Sequence, residues 1–223
     1  MKNPELILFA NQPIPGWVMP RLQPGVSPEL AADIAAFMIR STATLAVENW
    51  PGDVHLYGDP DADCALFQEL GAALHVRLAS QAVGDRGLRL GAALQQGIGR
   101  RGAAAVMDCD VPHCSDEVLE RAHDTLARGR NIIGPTMDGG YYLIGLQQYI
   151  PELFNGIAWD SDQILEQTLA RARVTGIEFE MLPRLRNVDT LADLAAVAQG
   201  YVGLQTFLAP VAGHHRLVNK GRE

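Results

Sequence analysis

Short apolar runs alternate with longer stretches in which apolar residues recur every three or four positions, and this rhythm predicts strands and helices in turn. ELILFA at Glu5–Ala10 reads as a buried strand that feeds a loop. From Asn11 to Gly25 the sequence NQPIPGWVMPRLQPG holds four prolines and two glycines, which excludes regular structure. A helix is predicted next, with Ser27 as N-cap, Pro28 at its first position and Glu29 beside the positive end of its dipole, reaching Val47 or Glu48. DVHLYG near Asp53 predicts a strand, DADCALFQELG near Asp61 a helix, and ALHVRL near Leu74 another strand. A helix over Asp85–Arg100 and a strand over Ala103–Asp108 follow, then a helix over Ser115–Arg128 with Ser115 as its cap.

Beyond that helix the rhythm changes. NIIGPT and GYYLIGL are apolar runs separated by Met137, Asp138 and Gly139, so an antiparallel element is expected to enter the sheet. Helices near Asp160–Arg173 and Thr190–Leu208 flank one more strand, IEFEML, and HHRLVNKGRE is a polar tail. The expected fold class is α/β: three layers, α/β/α, around a mixed, mainly parallel sheet, with residues 1–208 as one domain and 209–223 as a tail. Loops then gather at the carboxyl ends of the strands, where open α/β sheets bind ligands.

Charge narrows the partners. With 18 basic against 26 acidic side chains the formal charge is −8, so no nucleic-acid partner is expected. No apolar run is read as approaching the roughly 20 residues of a membrane span, and the amino-terminal apolar stretch is too short for a signal peptide; the expectation is a cytoplasmic protein with no membrane partner. Cys64, Cys109 and Cys114 are an odd set in a chain of 223 residues, so reduced thiols are expected. Cys109, His113 and Cys114 lack a second pair at the spacing a zinc site needs.

Four segments carry candidate chemistry. MDCDVP puts Asp108 and Asp110 where a strand gives way to a loop, a position from which carboxylates can hold Mg²⁺ or Mn²⁺; the alternative is a pair of solvated loop aspartates. In GPTMDGGYYLIGL, Gly139 and Gly140 let a ligand approach the backbone beside Asp138, although Asp-Gly between apolar runs is also an ordinary hairpin turn. Tyr141 and Tyr142 must face opposite sides of a strand, so at most one lines a pocket. VGDRGLRL offers Gly84, Asp85, Gly87 and Arg89 at a helix start suited to an anion, with Asp85 equally able to act as a cap. NVDTLADL places Asp189 before a capping box formed by Thr190 and Asp193.

In order, the segments LILFANQPIPGWVMPRL, VGDRGLRLGAAL, DCDVP, GPTMDGGYYLIGL, Trp159 with the helix through Thr168, and NVDTLADL resemble a bacterial family of glycosyltransferase-like proteins with the GT-A nucleotide-diphospho-sugar transferase fold. Some members are labelled arsenosugar-biosynthesis glycosyltransferases, and cofactor nucleotidyltransferases are distant relatives. The resemblance implies Asp110 and Asp189 as ligands of Mg²⁺ or Mn²⁺ and Asp138 as the residue that positions an acceptor hydroxyl or acts as base. Pro15, Gly16, Arg21, Gly84, Asp85, Arg89, Gly139 and Gly140 are implied as substrate or nucleotide contacts. The implied partners are a nucleotide sugar and a small-molecule acceptor. Family members carry a lysine near Asn11 and a Lys-Thr pair before the first-loop arginine, where this chain has Asn11, Met19 and Pro20 and keeps only Arg21, which predicts weakened or redirected diphosphate binding. The readings in play are a metal-dependent glycosyltransferase, a nucleotidyltransferase releasing pyrophosphate, and a non-catalytic ligand-binding relative.

Overall fold

The computed structural model describes residues 3–208, so the predicted tail and the pair His214 and His215 lie outside the described residues. Seven strands form one sheet in the order β3-β2-β1-β4-β6-β5-β7. They are β1 (Glu5–Asn11), β2 (Val54–Asp59), β3 (Arg77–Ser80), β4 (Ala104–Asp108), β5 (Asn131–Pro135), β6 (Tyr141–Leu146) and β7 (Phe179–Met181). Only β6 runs antiparallel to its neighbours; every other pairing is parallel.

Alternation along the strands divides the core. Leu6 and Leu8 of β1 with Ala105 and Met107 of β4 face α1 (Pro28–Asn49), α2 (Ala65–Leu74) and α4 (Asp116–Ala127). Ile7, Phe9, Ala104 and Val106 face α3 (Arg86–Arg101) and α5 (Ile164–Thr175). The expected three-layer α/β/α architecture with a mixed, mainly parallel sheet is thus present. The outer face of α1 packs through Ile34 and Met38 on Leu194, Val197 and Leu204 of α6 (Leu191–Ala198) and α7 (Val202–Gln205).

That double burial explains one departure from the sequence expectation. By length and composition α1 is apolar enough to cross a membrane, despite Asp33 and Arg40, whereas no such run was expected. Its apolar residues instead serve two interior surfaces, the sheet on one side and the last helices on the other.

Several boundaries also shift for local reasons. The helix expected near Asp61 begins only at Ala65 and includes Ala73 and Leu74, which were assigned to the next strand; His75, at φ 56°, ends it in the left-handed conformation. The helix expected from Asp160 starts at Ile164, because Ser161 and Gln167 tie their side chains to the backbone of Ala158 and hold the segment in turns. The helix expected over Thr190–Leu208 is two, interrupted around Gly200. Ser115 has cap-like backbone angles but makes no side-chain cap hydrogen bond. Ser27 does cap α1, accepting from Leu30 N–H at 3.2 Å, and Thr190 and Asp193 form the expected capping box. Cys64, Cys109 and Cys114 are free thiols.

At the amino-terminal edge of the sheet, Arg100 of α3 meets the buried Glu5 carboxylate at 2.8 and 2.5 Å, and His55 Nδ1 lies 3.5 Å from Glu5. Burial, the largest influence, holds the His55 pKa below its ordinary 6.5. A depressed native pKa means the native state keeps the neutral ring, so this contribution to stability is complete above pH 6.5 and is lost as pH falls below it. Thermal midpoints measured from about pH 7.5 down to about 5 are expected to fall less steeply in His55→Gln, by up to one group's slope, about 1.4 kcal/mol per pH unit.

Candidate active site

The antiparallel β6 decides where the site sits. Because it runs against β4 and β5, its first residue, Tyr141, lies at the edge where β4 ends, with Pro135 of β5 as its partner. The turn 136–140 therefore arrives beside Asp108 and Asp110 rather than at the far edge. This turn is the hairpin expected from Asp-Gly, and it also faces a cleft.

The cleft has two chambers that share Arg86, Asp108, Asp110 and Asp189. The first, about 230 Å³, is walled by Phe9, Ala10, Asn11 and Val18–Pro20 of β1 and its loop, by Ala35, Met38 and Ile39 of α1, and by Gln81 and Arg89. The second, about 590 Å³, is walled by Arg21, the turn residues Thr136, Asp138 and Gly140, Tyr141, the segment Trp159–Asp162, and Asn187.

Asp108 closes β4 and pairs with Arg86. Asp110 lies two residues on, past the strand end, yet shares the cleft with Asp108. Its backbone carbonyl accepts from Val188 N–H at 2.9 Å, which fastens the loop carrying Asp189 to the end of β4. The buried Oδ1 of Asp110 has no hydrogen-bond partner. Burial, then the Asp108 carboxylate, push its carboxyl well above the usual range, with Arg86 opposing and Asp189 and Asp138 adding to the rise. Asp189 is also raised, first by burial, while Arg21, at 2.6 Å, pulls it down.

Asp138 behaves in the opposite way. It accepts from Thr136 Oγ1 at 2.5 Å, Asn187 Nδ2 at 2.9 Å and Gly140 N–H at 3.2 Å. Burial works to raise its carboxyl, but these three donors outweigh it and hold the group below the usual range. Gly139, at φ +91°, sits so close to the next segment that a Cβ there would lie 1.9 Å from the Asp162 carbonyl oxygen; its own carbonyl accepts from Leu165 N–H at 2.8 Å. Tyr141 lines the second chamber, whereas Tyr142 turns into the core and donates to Pro183 O at 3.2 Å.

The remaining expected contacts divide. Arg21 and Arg89 line the cleft, and Arg89 reaches Asp59 at 3.2 Å and Gln81 at 3.3 Å. Pro15 and Gly16 are exposed and line neither chamber. Gly84 and Asp85 likewise lie outside both, and the Asp85 carboxylate is spent as the cap of α3, accepting from Leu88 N–H at 2.8 Å. Gly84 and Asp85 thus shape the helix start instead of lining the cleft.

Arg86 was missed by the sequence reasoning, which chose Arg89 from the same motif. Side chains of a first helical turn lean beyond the helix N-terminus, so a first-position arginine after an Asp cap reaches the strand ends, and that geometry was the available signal. Burial works against its charge, but Asp108, then Tyr141 and Asp110, hold the guanidinium protonated more firmly than usual. Thr136 and Asn187 were also missed, because each gains a role only from the turn it meets, and Trp159, named in the resemblance, was given no role.

Among the described residues no three His, Cys, Asp or Glu side chains are gathered as a ready-made metal cage. The cleft nevertheless fits a hard divalent ion. Mg²⁺ and Mn²⁺ sites take one or two protein carboxylates and complete their shells with water and phosphate oxygens, and Asp110 brings an unsatisfied buried oxygen beside Asp189.

Comparison with solved structures places the same fold in other proteins. A protein of Desulfovibrio desulfuricans G20, described as a candidate nucleotide-diphospho-sugar transferase, is 26% identical with a TM-score of 0.84, covering 96% of this chain and 98% of its own. An inositol-1-phosphate CTP transferase from T. maritima is 14% identical (TM-score 0.56; 93% and 97% covered). A Mycobacterium tuberculosis H37Rv protein in complex with manganese is 15% identical (TM-score 0.52; 89% and 99% covered). The fold is that of the nucleotide-diphospho-sugar transferases. No curated protein matches the chain. Residues 42–161, more than half of the chain, match the family described as "Uncharacterized protein conserved in bacteria (DUF2064)", and the chain belongs to that family.

Proposed function

We propose that the chain is a divalent-metal-dependent glycosyltransferase that holds a nucleoside-diphosphate sugar in the first chamber and passes the sugar to a small acceptor in the second. The observation that carries this reading is the buried, unpartnered Asp110 Oδ1 at the junction of the chambers, with Asp189 beside it. The likeness to the D. desulfuricans protein, described as a candidate nucleotide-diphospho-sugar transferase, supports the sugar nucleotide, and the manganese complex of the M. tuberculosis neighbour supports the metal.

Charge favours a diphosphate over a triphosphate. The first chamber has Asn11 and Met19–Pro20 where the resembling family has a lysine and a Lys-Thr pair, and Arg21, Arg86 and Arg89 are each already paired with a carboxylate. Asp110 and Asp189 would hold the divalent ion, which when bound would supply the positive charge that a leaving diphosphate needs. Apolar Val18, Met38 and Ile39 offer the nucleoside a dry wall, while Arg86 and Arg89 flank the phosphate path. Asp138, saturated with donors and depressed in pKa, is a weak proton acceptor; it serves as a positioning residue that fixes the Gly139–Gly140 turn.

Turnover of a panel of sugar nucleotides with Mg²⁺ or Mn²⁺, combined with thermal shift by the free nucleoside diphosphates, tests the proposal. Metal-dependent stabilisation of about 2–3 kcal/mol at ligand near 100 Kd is expected, together with sugar transfer or slow hydrolysis. Pyrophosphate release from a triphosphate without sugar transfer would replace it with nucleotidyl transfer, and nucleotide binding without turnover would replace it with the non-catalytic reading.

A further inference from the structure

The second chamber is chemically one-sided. Two cations reach it and both are occupied, Arg21 by Asp189 at 2.6 Å and Arg86 by Asp108. Six aspartates line it, and the carboxylates of Asp160 and Asp162 carry no hydrogen bond or ion pair among the described residues. Tyr141, 5% exposed, turns its hydroxyl toward that of Thr168, and neither hydroxyl has any other partner among the described residues. The Trp159 indole forms an apolar wall braced on α3, where a Cβ at Gly87 would come within 2.9 Å of the ring.

A wall of carboxylate acceptors plus one hydroxyl recognises donor groups, and an indole beside it suits the apolar face of a ring. A phosphate or carboxylate entering the same space would meet arginines whose charge is already offset by an aspartate each and would lie among unpaired like charges, which is how a site excludes a competitor.

Resting on the transferase reading, we propose that the second chamber selects an uncharged polyhydroxylated acceptor, a free sugar or polyol, and rejects sugar phosphates and sugar acids. The acceptor therefore enters this reaction before any phosphorylation, which separates the chain from its T. maritima neighbour, named for a phosphorylated inositol substrate.

Saturation-transfer NMR on the full chain tests this with glucose, myo-inositol and glycerol against the monophosphate of each, at low ionic strength, with EDTA and then with Mg²⁺. At least one neutral probe is expected to bind about ten-fold or more tightly than its phosphate. The double substitution Asp160→Asn, Asp162→Asn should shrink that ratio. Tyr141→Phe should weaken the neutral probe more than its phosphate, with the thermal midpoint read alongside to confirm that the variant is folded. A phosphate that binds as well as its parent polyol, no binding of any neutral probe, or a ratio indifferent to the double substitution would each overturn the proposal. The nucleotide thermal shift is read separately: nucleotide binding with a preference for phosphates removes only this inference, and polyol binding without nucleotide binding removes only the transferase reading.

Discussion

Replacing Asp110 by asparagine is expected to stabilise the metal-free protein while abolishing the extra stabilisation that Mg²⁺ and a nucleoside diphosphate confer together. The two signs come from one environment. Asp110 is buried, repelled by Asp108, Asp189 and Asp138, and left with an unsatisfied oxygen, so its carboxylate costs the empty fold free energy. Removing the charge should raise the thermal or urea midpoint of the metal-free protein. The same substitution removes a hard anionic ligand, so the nucleotide-dependent shift of about 2–3 kcal/mol near 100 Kd should vanish. An aspartate in this environment with no metal to hold would show the gain without the loss. An unchanged nucleotide shift in Asp110→Asn would remove Asp110 from the metal site.

Gly139→Ala is expected to cost about 2–4 kcal/mol, combining a left-handed backbone closed to side chains with overpacking. The clash is with backbone, the Asp162 carbonyl oxygen at 1.9 Å, which no rotamer change relieves. The structure can respond only by moving the turn away from the segment 160–162, breaking the Leu165 N–H to Gly139 O bond and opening the second chamber. Urea denaturation checks the stability loss. Gly140→Ala makes the contrast: its Cβ would meet Thr136 Oγ1 at 3.1 Å, a side chain able to yield, so its cost should be smaller.

The alternation of strands and helices was legible because buried parallel strands are short apolar runs and the covering helices carry a periodic apolar face. Asp110, Asp138 and Asp189, distant in sequence, do meet in one cleft, as their positions at strand ends and turns imply. What stayed hidden depends on tertiary partners. Arg86 and Arg89 look alike in the motif, and only packing shows that Arg86 reaches Asp108 while Asp85 caps the helix. Pro15 and Gly16 share a loop with the cleft residues Met19 and Pro20 but lie outside both chambers, a matter of loop path that proline and glycine content does not specify. The break near Gly200 was masked by an apolar pattern that continues across it.

The Arg86–Asp108 partition belongs to both chambers. On the transferase reading, a donor that shifts Arg86 would change the charge an acceptor meets, and thermodynamics requires that effect to be mutual: if donor sharpens affinity for acceptor by some factor, acceptor sharpens affinity for donor equally.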